Sequence, residues 1–275
     1  MYPSHFDNQI LIYSVFSVFS VPSVAKKDVM RLYLIAMQFL TIIPLPFDTR
    51  CQKEDLGRAT ACFPLVGLTI GGLLVGVNWL IEPWLNRSLT AALLVTALAA
   101  VTGALHLDGL ADVCDGLAAR GSRERFLAIM KDSNVGAIGA VGLVLGLLLK
   151  WQALLAVPTG ITWQVLLLFP ILGRCAQVLA MAGAKHARQD GLGAAIIQGM
   201  GTRHLLIALG ITVAACLLLL PVKGMIALAA VFAVTLIIRG YFQGRLGGLT
   251  GDIVGCTSEI AEIVALIVLS AGYQQ

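Results

Sequence analysis

Seven stretches of this 275-residue chain run for about twenty residues with hardly a charge, near 59–81, 88–107, 135–157, 161–183, 204–220, 222–240 and 257–273. A helix rising 1.5 Å per residue needs about that length to cross roughly 30 Å of hydrocarbon. In lipid every backbone N–H and C=O must be satisfied internally, which leaves helices or closed barrels. Long period-two alternation is absent, so the expected fold class is all-α, a polytopic integral membrane bundle of about seven transmembrane helices. Charged residues make up only 12% of the chain, and mean hydropathy is +0.89; soluble domains carry about 25% charge. No segment reads as a nucleic-acid module.

Within these runs, Gly67, Gly71, Gly72 and Gly139, Gly142, Gly146 allow close helix packing. Pro158, Pro170 and Pro221 mark turns or kinks. The six cysteines are scattered without zinc spacing, so neither a disulfide framework nor a zinc site is indicated. Residues 31–43 are apolar but stop at Pro44-Leu45-Pro46, too short for a span, and read as an interfacial or re-entrant helix. Residues 1–29 read as an N-terminal extension dispensable for function, and 30–275 as a single membrane-embedded catalytic domain. A chain starting at Met30 is expected to keep its activity.

Lys and Arg between spans set the orientation. One side collects Lys26, Lys27, Arg31, Arg50, Lys53, Arg58, Arg120, Arg123, Arg125, Lys131, Lys185, Arg188, Arg203, Arg239 and Arg245, against Arg87, Lys150 and Lys223 on the other. The basic side is therefore expected to be cytoplasmic. Arg174 is left inside a span, assigned to neither side, where a cation is expensive and is paired or functional.

On that cytoplasmic side stands His106-Leu-Asp108-Gly-Leu-Ala-Asp112-Val-Cys-Asp115-Gly116. At ~100° per helical residue the three carboxylates fall within about 60° of one another. Such a cluster is repulsive unless something neutralises it, and a hard divalent cation such as Mg2+ prefers carboxylate oxygens and often bridges them to phosphate. The alternative is a solvated helix end, which the helix dipole disfavours for anions at a C-terminus. His106 is either a hydrogen-bonded structural residue or a base.

Three loops on this side carry further polar chemistry. Lys131-Asp132-Ser133 places a lysine, suited to hold phosphate as a point charge, after the acidic segment. Its neighbours Arg120, Arg123 and Arg125 read first as positive-inside anchors. Lys185 to Gly193, with Arg188 among its cations, is suited equally to cradling an anion or to being a solvated connection. Gly247-Gly248-Leu249-Thr250-Gly251-Asp252 lets backbone approach a ligand closely and adds a fourth carboxylate. Glu262, inside the last span, is expected to pair with Arg174 or Arg239.

Together Phe63-Pro-Leu-Val-Gly67, the His106–Gly116 segment, Ile129-Met-Lys-Asp-Ser133, Gly173-Arg174 and Gly248-Leu-Thr-Gly-Asp252 resemble, in order and spacing, the cobalamin synthase family of adenosylcobinamide-GDP ribazoletransferases. The resemblance runs from about Met30 to the C-terminus; the extension departs from it, and Leu107 stands where the family pattern has Glu. It implies Mg2+-dependent transfer, in an integral protein of the bacterial inner membrane with its active site facing the cytoplasm. A ribose hydroxyl of α-ribazole, or of its 5'-phosphate, attacks the cobinamide phosphate of adenosylcobinamide-GDP and expels GMP. On this reading Asp108, Asp112 and Asp115 hold metal, and Asp252 is a further ligand or the base. Lys131 and Arg174 contact phosphate, Asp132, Ser133 and Arg188 line the substrate site, and Gly248, Thr250 and Gly251 shape the nucleotide pocket. Membrane lipid is an expected partner, and a homo-oligomer is left open.

Two other readings compete. A CDP-alcohol phosphotransferase uses similar chemistry, but its Ala-Arg pair after Asp-Gly is missing at Asp108-Gly109. A cation-coupled transporter would place acids near the bilayer midplane on broken helices, often within inverted repeats, and no repeat is evident here.

Overall fold

The computed structural model of the chain describes residues 23–44, 52–119, 122–132, 134–187 and 192–272. These form helices α1 (Ser23–Leu40), α2 (Lys53–Ala59), α3 (Phe63–Ile81), α4 (Arg87–Val101), α5 (Leu105–Ala118), α6 (Arg123–Ile129), α7 (Ala137–Leu155), α8 (Thr162–Met181), α9 (Leu192–Gly199), α10 (Thr202–Leu219), α11 (Pro221–Leu246) and α12 (Gly251–Ser270). Among the described residues six single segments are long and apolar enough to cross a membrane: Glu54–Ile81, Ala137–Leu155, Thr159–Met181, Thr202–Leu219, Pro221–Leu246 and Gly251–Ser270. The chain is an all-α integral membrane bundle.

The expected span at 88–107 is bent: Arg87–Val101 and Leu105–Ala118 are long and apolar enough to cross only together, as a broken span or re-entrant pair. Its first helix stops at Val101, and α5 leaves α4 at an angle of 92°. The aspartates therefore do not sit at the end of an apolar helix but on a separate helix crossing it. The last span also starts earlier than its hydropathy suggests, at Gly251, so that Asp252 lies in the first turn of α12.

Helix α8 is the axis of the bundle. It is buried continuously from Leu168 to Met181 because α3, α10, α11 and α12 surround it. The approach of α3 depends on two glycines one turn apart. A Cβ at Gly67 would lie 2.6 Å from Pro170 O, and one at Gly71 would lie 2.7 Å from Leu166 O. Pro170 has no N–H to offer the Leu166 carbonyl, so the close Cα of Gly71 covers a backbone oxygen that the helix itself leaves short of a partner. The glycines of α7 face α5 instead: Gly139 lies against Asp115, Gly142 against Cys114 and Gly146 against Leu110.

Helix α1 is not among the long apolar segments. It runs unbroken through Met30, buries Ile35, Ala36, Met37 and Leu40, and is tied to α2 by Arg31–Asp55 at 2.6 Å. Most of the expected extension, residues 1–22, lies outside the described residues.

All four tryptophans gather at the end of the bundle away from α5. Trp79 lies in the last turn of α3 and Trp84 just beyond it, Trp163 opens α8, and Trp151 donates its indole N–H to Ser88 O at 2.9 Å. Trp79, Trp84 and Trp163 are exposed, the placement of an aromatic belt at a membrane–water boundary.

Candidate active site

The site begins with the break between α4 and α5. Gly103 and Ala104 both take left-handed backbone angles, φ 61° and 55°. For alanine that conformation costs about 1–2 kcal/mol. Ile42 closes over the turn, where a Cβ at Gly103 would come 2.4 Å from its Cγ2. The bend lays α5 between α7 and α12, and α5 packs extensively on both.

This placement separates the three aspartates that helical spacing groups together. Asp115 turns to α7: one carboxylate oxygen accepts the Gly136 N–H and the other the Gly139 N–H, each at 2.7 Å. It thus caps the N-terminus of a 19-residue helix. Asp112, one turn back, is half-buried, and Asp108 is exposed. On the α12 side, Gly109 rests on the backbone of Asp252, where a Cβ would meet Asp252 O at 2.5 Å. Among the described residues, no three His, Cys, Asp or Glu side chains are grouped closely enough to hold a metal ion by themselves.

Asp108 and Asp252 share a cavity of about 270 Å3. Its polar lining includes His106, Gln177, Thr250 and Gly251, and its apolar lining includes Phe39, Phe63, Met181, Ile196 and Ile197. Thr250 is the N-cap of α12, its hydroxyl accepting from the Ile253 N–H at 3.3 Å, so the positive end of that helix dipole faces the cavity. Phe39 and Phe63 stack with ring centroids 6.1 Å apart.

His106 is buried, with its Nε2 2.7 Å from the Gln177 amide nitrogen. An amide nitrogen can only donate, so Nε2 accepts and the ring is neutral with its hydrogen on Nδ1. A base working through Nε2 would first have to release Gln177.

Below this pair lies a cluster of four buried ionic side chains. Lys150 contacts Glu259 at 2.7 Å and also Glu262, and Glu262 in turn holds Arg174. The expectation that Glu262 pairs with Arg174 is met, while Arg239 donates to Leu179 O. Two cations and two carboxylates make the cluster neutral in sum, the condition under which buried charge is tolerated. Gly173 explains the Gly-Arg pair in the sequence, since a Cβ there would come 2.6 Å from Glu262 Cγ. Lys150 is therefore not a loop residue of the less basic side; removing it from that count leaves the charge asymmetry intact. Arg174 is fully buried and does not line the cavity with Asp108 and Asp252.

The remaining sequence candidates are distributed around the rim. Lys131 is exposed in the turn after α6, and Asp132 accepts from both the backbone and side-chain N–H of Asn134; neither lines the cavity. Ser133 and Arg188 lie outside the described residues. Gly248 sits against residues 185–187, and Leu249 forms a short parallel bridge there, with Ala187 N–H to Leu249 O and Leu249 N–H to Lys185 O both at 2.8 Å. Arg123, read from sequence as a membrane anchor, clamps this bridge by donating to Leu246 O and Ala187 O, each at 2.7 Å. Nothing local in the sequence distinguishes it from Arg125; both carbonyls are more than sixty residues away. The apolar wall contributed by Phe39, Ile196 and Ile197 also carries no motif.

Known proteins supply the remaining identification. The sequence profile described as cobalamin-5-phosphate synthase matches residues 32–270. A Geotalea daltonii protein named adenosylcobinamide-GDP ribazoletransferase is 55% identical over 242 residues, covering 88% of this chain and 98% of its own. Proteins of the same name from Thermoanaerobacter sp. and Pseudomonas paraeruginosa are 35% and 39% identical, covering 88% and 89% of this chain and 97% and 99% of theirs. No solved structure matches. With its membrane bundle, its acidic cavity and a match over nearly its whole length, the chain belongs to the cobalamin-5-phosphate synthase family.

Proposed function

We propose that the protein transfers the cobinamide phosphate of adenosylcobinamide-GDP to a ribose hydroxyl of α-ribazole or its 5'-phosphate, releasing GMP. The relatives carry the name of that activity. The observation that supports it most is the contact of Gly109 with Asp252, which sets Asp108 and Asp252 on one cavity beside the N-terminus of α12. The hydroxyl oxygen bonds to the phosphorus bearing cobinamide, the bond from that phosphorus to the GMP oxygen breaks, and the hydroxyl proton passes to Asp252. The dipole of α12 favours the phosphates at its N-terminus. Lys131 and Lys185, both exposed on the same side, add long-range attraction for the anionic substrate.

Hard carboxylate oxygens suit Mg2+, which characteristically takes one or two carboxylates and completes its shell with water and substrate phosphate. Asp108 and Asp112, one turn apart on α5, fit that pattern, whereas both oxygens of Asp115 already accept backbone amides. When bound, the ion neutralises charge on the phosphoryl group and on departing GMP. By the positive-inside rule the excess of basic residues in the loops on this side supports a cytoplasmic active site in an inner-membrane protein.

Purified protein in detergent or lipid, given adenosylcobinamide-GDP and α-ribazole phosphate, is expected to release GMP only with a divalent cation. Absence of release, with turnover of CDP-alcohol substrates instead, overturns the reading.

A further inference from the structure

The cavity beside Asp108 is large for a phosphate and small for a corrinoid. At about 270 Å3 it matches the low end of small-molecule sites and cannot admit a corrin macrocycle with its amide arms. Two nucleosides remain, the guanosine of the donor and the benzimidazole riboside of the acceptor. Their bases differ in polarity: guanine presents a carbonyl, a ring N–H and an amino group along one edge, whereas dimethylbenzimidazole presents two methyl groups there and keeps one ring-nitrogen acceptor.

The walls discriminate between them. Phe39, Phe63, Met181, Ile196 and Ile197 offer neither donor nor acceptor from their side chains, so a guanine edge placed among them loses its water without replacement. The apolar edge of a benzimidazole loses nothing, and the stacked Phe39–Phe63 pair adds aromatic surface to the wall. Besides Asp108, Asp252 and Thr250, which the proposed transfer uses, the polar lining includes His106 and Gln177, both at least nine-tenths buried. Each keeps one buried atom without a protein partner, Nδ1 of His106 and Oε1 of Gln177. Nδ1 carries a hydrogen and Oε1 accepts one, a donor and an acceptor that match a ring nitrogen and a ribose hydroxyl.

We infer that this cavity is the acceptor subsite, with the benzimidazole between the aromatic pair and the α9 isoleucines, and that the corrinoid and guanosine of the donor stay outside it. The inference rests on the proposed transferase reading and adds which substrate is enclosed. It also assigns Ile196, Ile197, Phe39 and Phe63 the selection of the lower base, and makes His106 and Gln177 positioning residues.

The test combines steady-state kinetics with calorimetry. Ile197→Ala, and Phe63→Leu as a second variant, are expected to raise KM for α-ribazole about tenfold while KM for adenosylcobinamide-GDP stays unchanged. Guanosine is expected not to compete with α-ribazole. A rise in KM for adenosylcobinamide-GDP alone, or competition by guanosine, overturns the assignment and leaves the transferase reading standing. If wild-type protein releases no GMP, calorimetric titration with α-ribazole decides the subsite: heat of binding lost in Ile197→Ala upholds it, and no binding overturns it together with the activity.

Discussion

Gly109 of α5 meets the backbone of Asp252 in α12 so closely that a Cβ would stand 2.5 Å from the Asp252 carbonyl oxygen. Backbone cannot yield as a flexible side chain can, so Gly109→Ala must push the two helices apart. Overpacking of this kind costs about 1–3 kcal/mol. Because the same contact holds Asp108 beside Asp252, turnover is expected to fall by about 10²-fold, the scale of a 1 Å misplacement. Thermal unfolding and GMP release measured on one preparation check both effects.

The aspartates of α5 are expected to divide by role. Asp115→Asn retains at most part of the double cap on α7 and should cost about 1 kcal/mol of stability. Asp108→Asn removes charge from an exposed carboxylate at the cavity, leaving unfolding within about 0.5 kcal/mol and lowering turnover by about 10²-fold or more. Asp112→Asn should abolish turnover in a folded protein. A variant series in which Asp115→Asn alone abolished activity at unchanged stability would reverse this division.

What could be read from sequence follows the range of the interactions concerned. The spans are legible because hydropathy is local, and the Arg174–Glu262 pair because a lone cation deep in one apolar run calls for a carboxylate in another. The break at Gly103-Ala104 is hidden, since Thr102-Gly103-Ala104 continues an apolar segment without proline and the left-handed Ala104 is imposed by packing. Helical spacing puts the three aspartates on one helix, α5. Only the third dimension shows that α7 claims Asp115, through Gly136 and Gly139 more than twenty residues away. Lys150 misleads for the same reason: it stands near the end of its run, but its carboxylate partners follow more than a hundred residues later.

The buried cluster around Lys150 supplies a third expectation. Lys150→Met leaves Glu259 and Glu262 with only Arg174 to balance them, and breaking a buried ion pair from one side costs about 3–5 kcal/mol. Neutralising a carboxylate as well, in Lys150→Met/Glu259→Gln, removes the surplus charge and should recover part of the loss. A double-mutant cycle in detergent reads the coupling; additive effects would mean that the two residues do not sense each other.

Metal removal tests the site without altering the chain. The fold of α5 depends on Asp115 and two backbone amides, on Gly109 against Asp252, and on Gly116 against the ring of Phe126, none of which involves an ion. Chelation with EDTA is therefore expected to abolish GMP release while leaving the unfolding temperature unchanged in the absence of substrate. Added Mg2+ should restore activity, and Asp112→Glu, which keeps the charge but shifts the carboxylate, should raise the Mg2+ concentration required. Because Mg2+ held by one or two carboxylates depends on substrate phosphate to complete its shell, its apparent affinity should increase with adenosylcobinamide-GDP concentration. Mg2+ affinity independent of that substrate would instead point to an ion held by protein ligands alone.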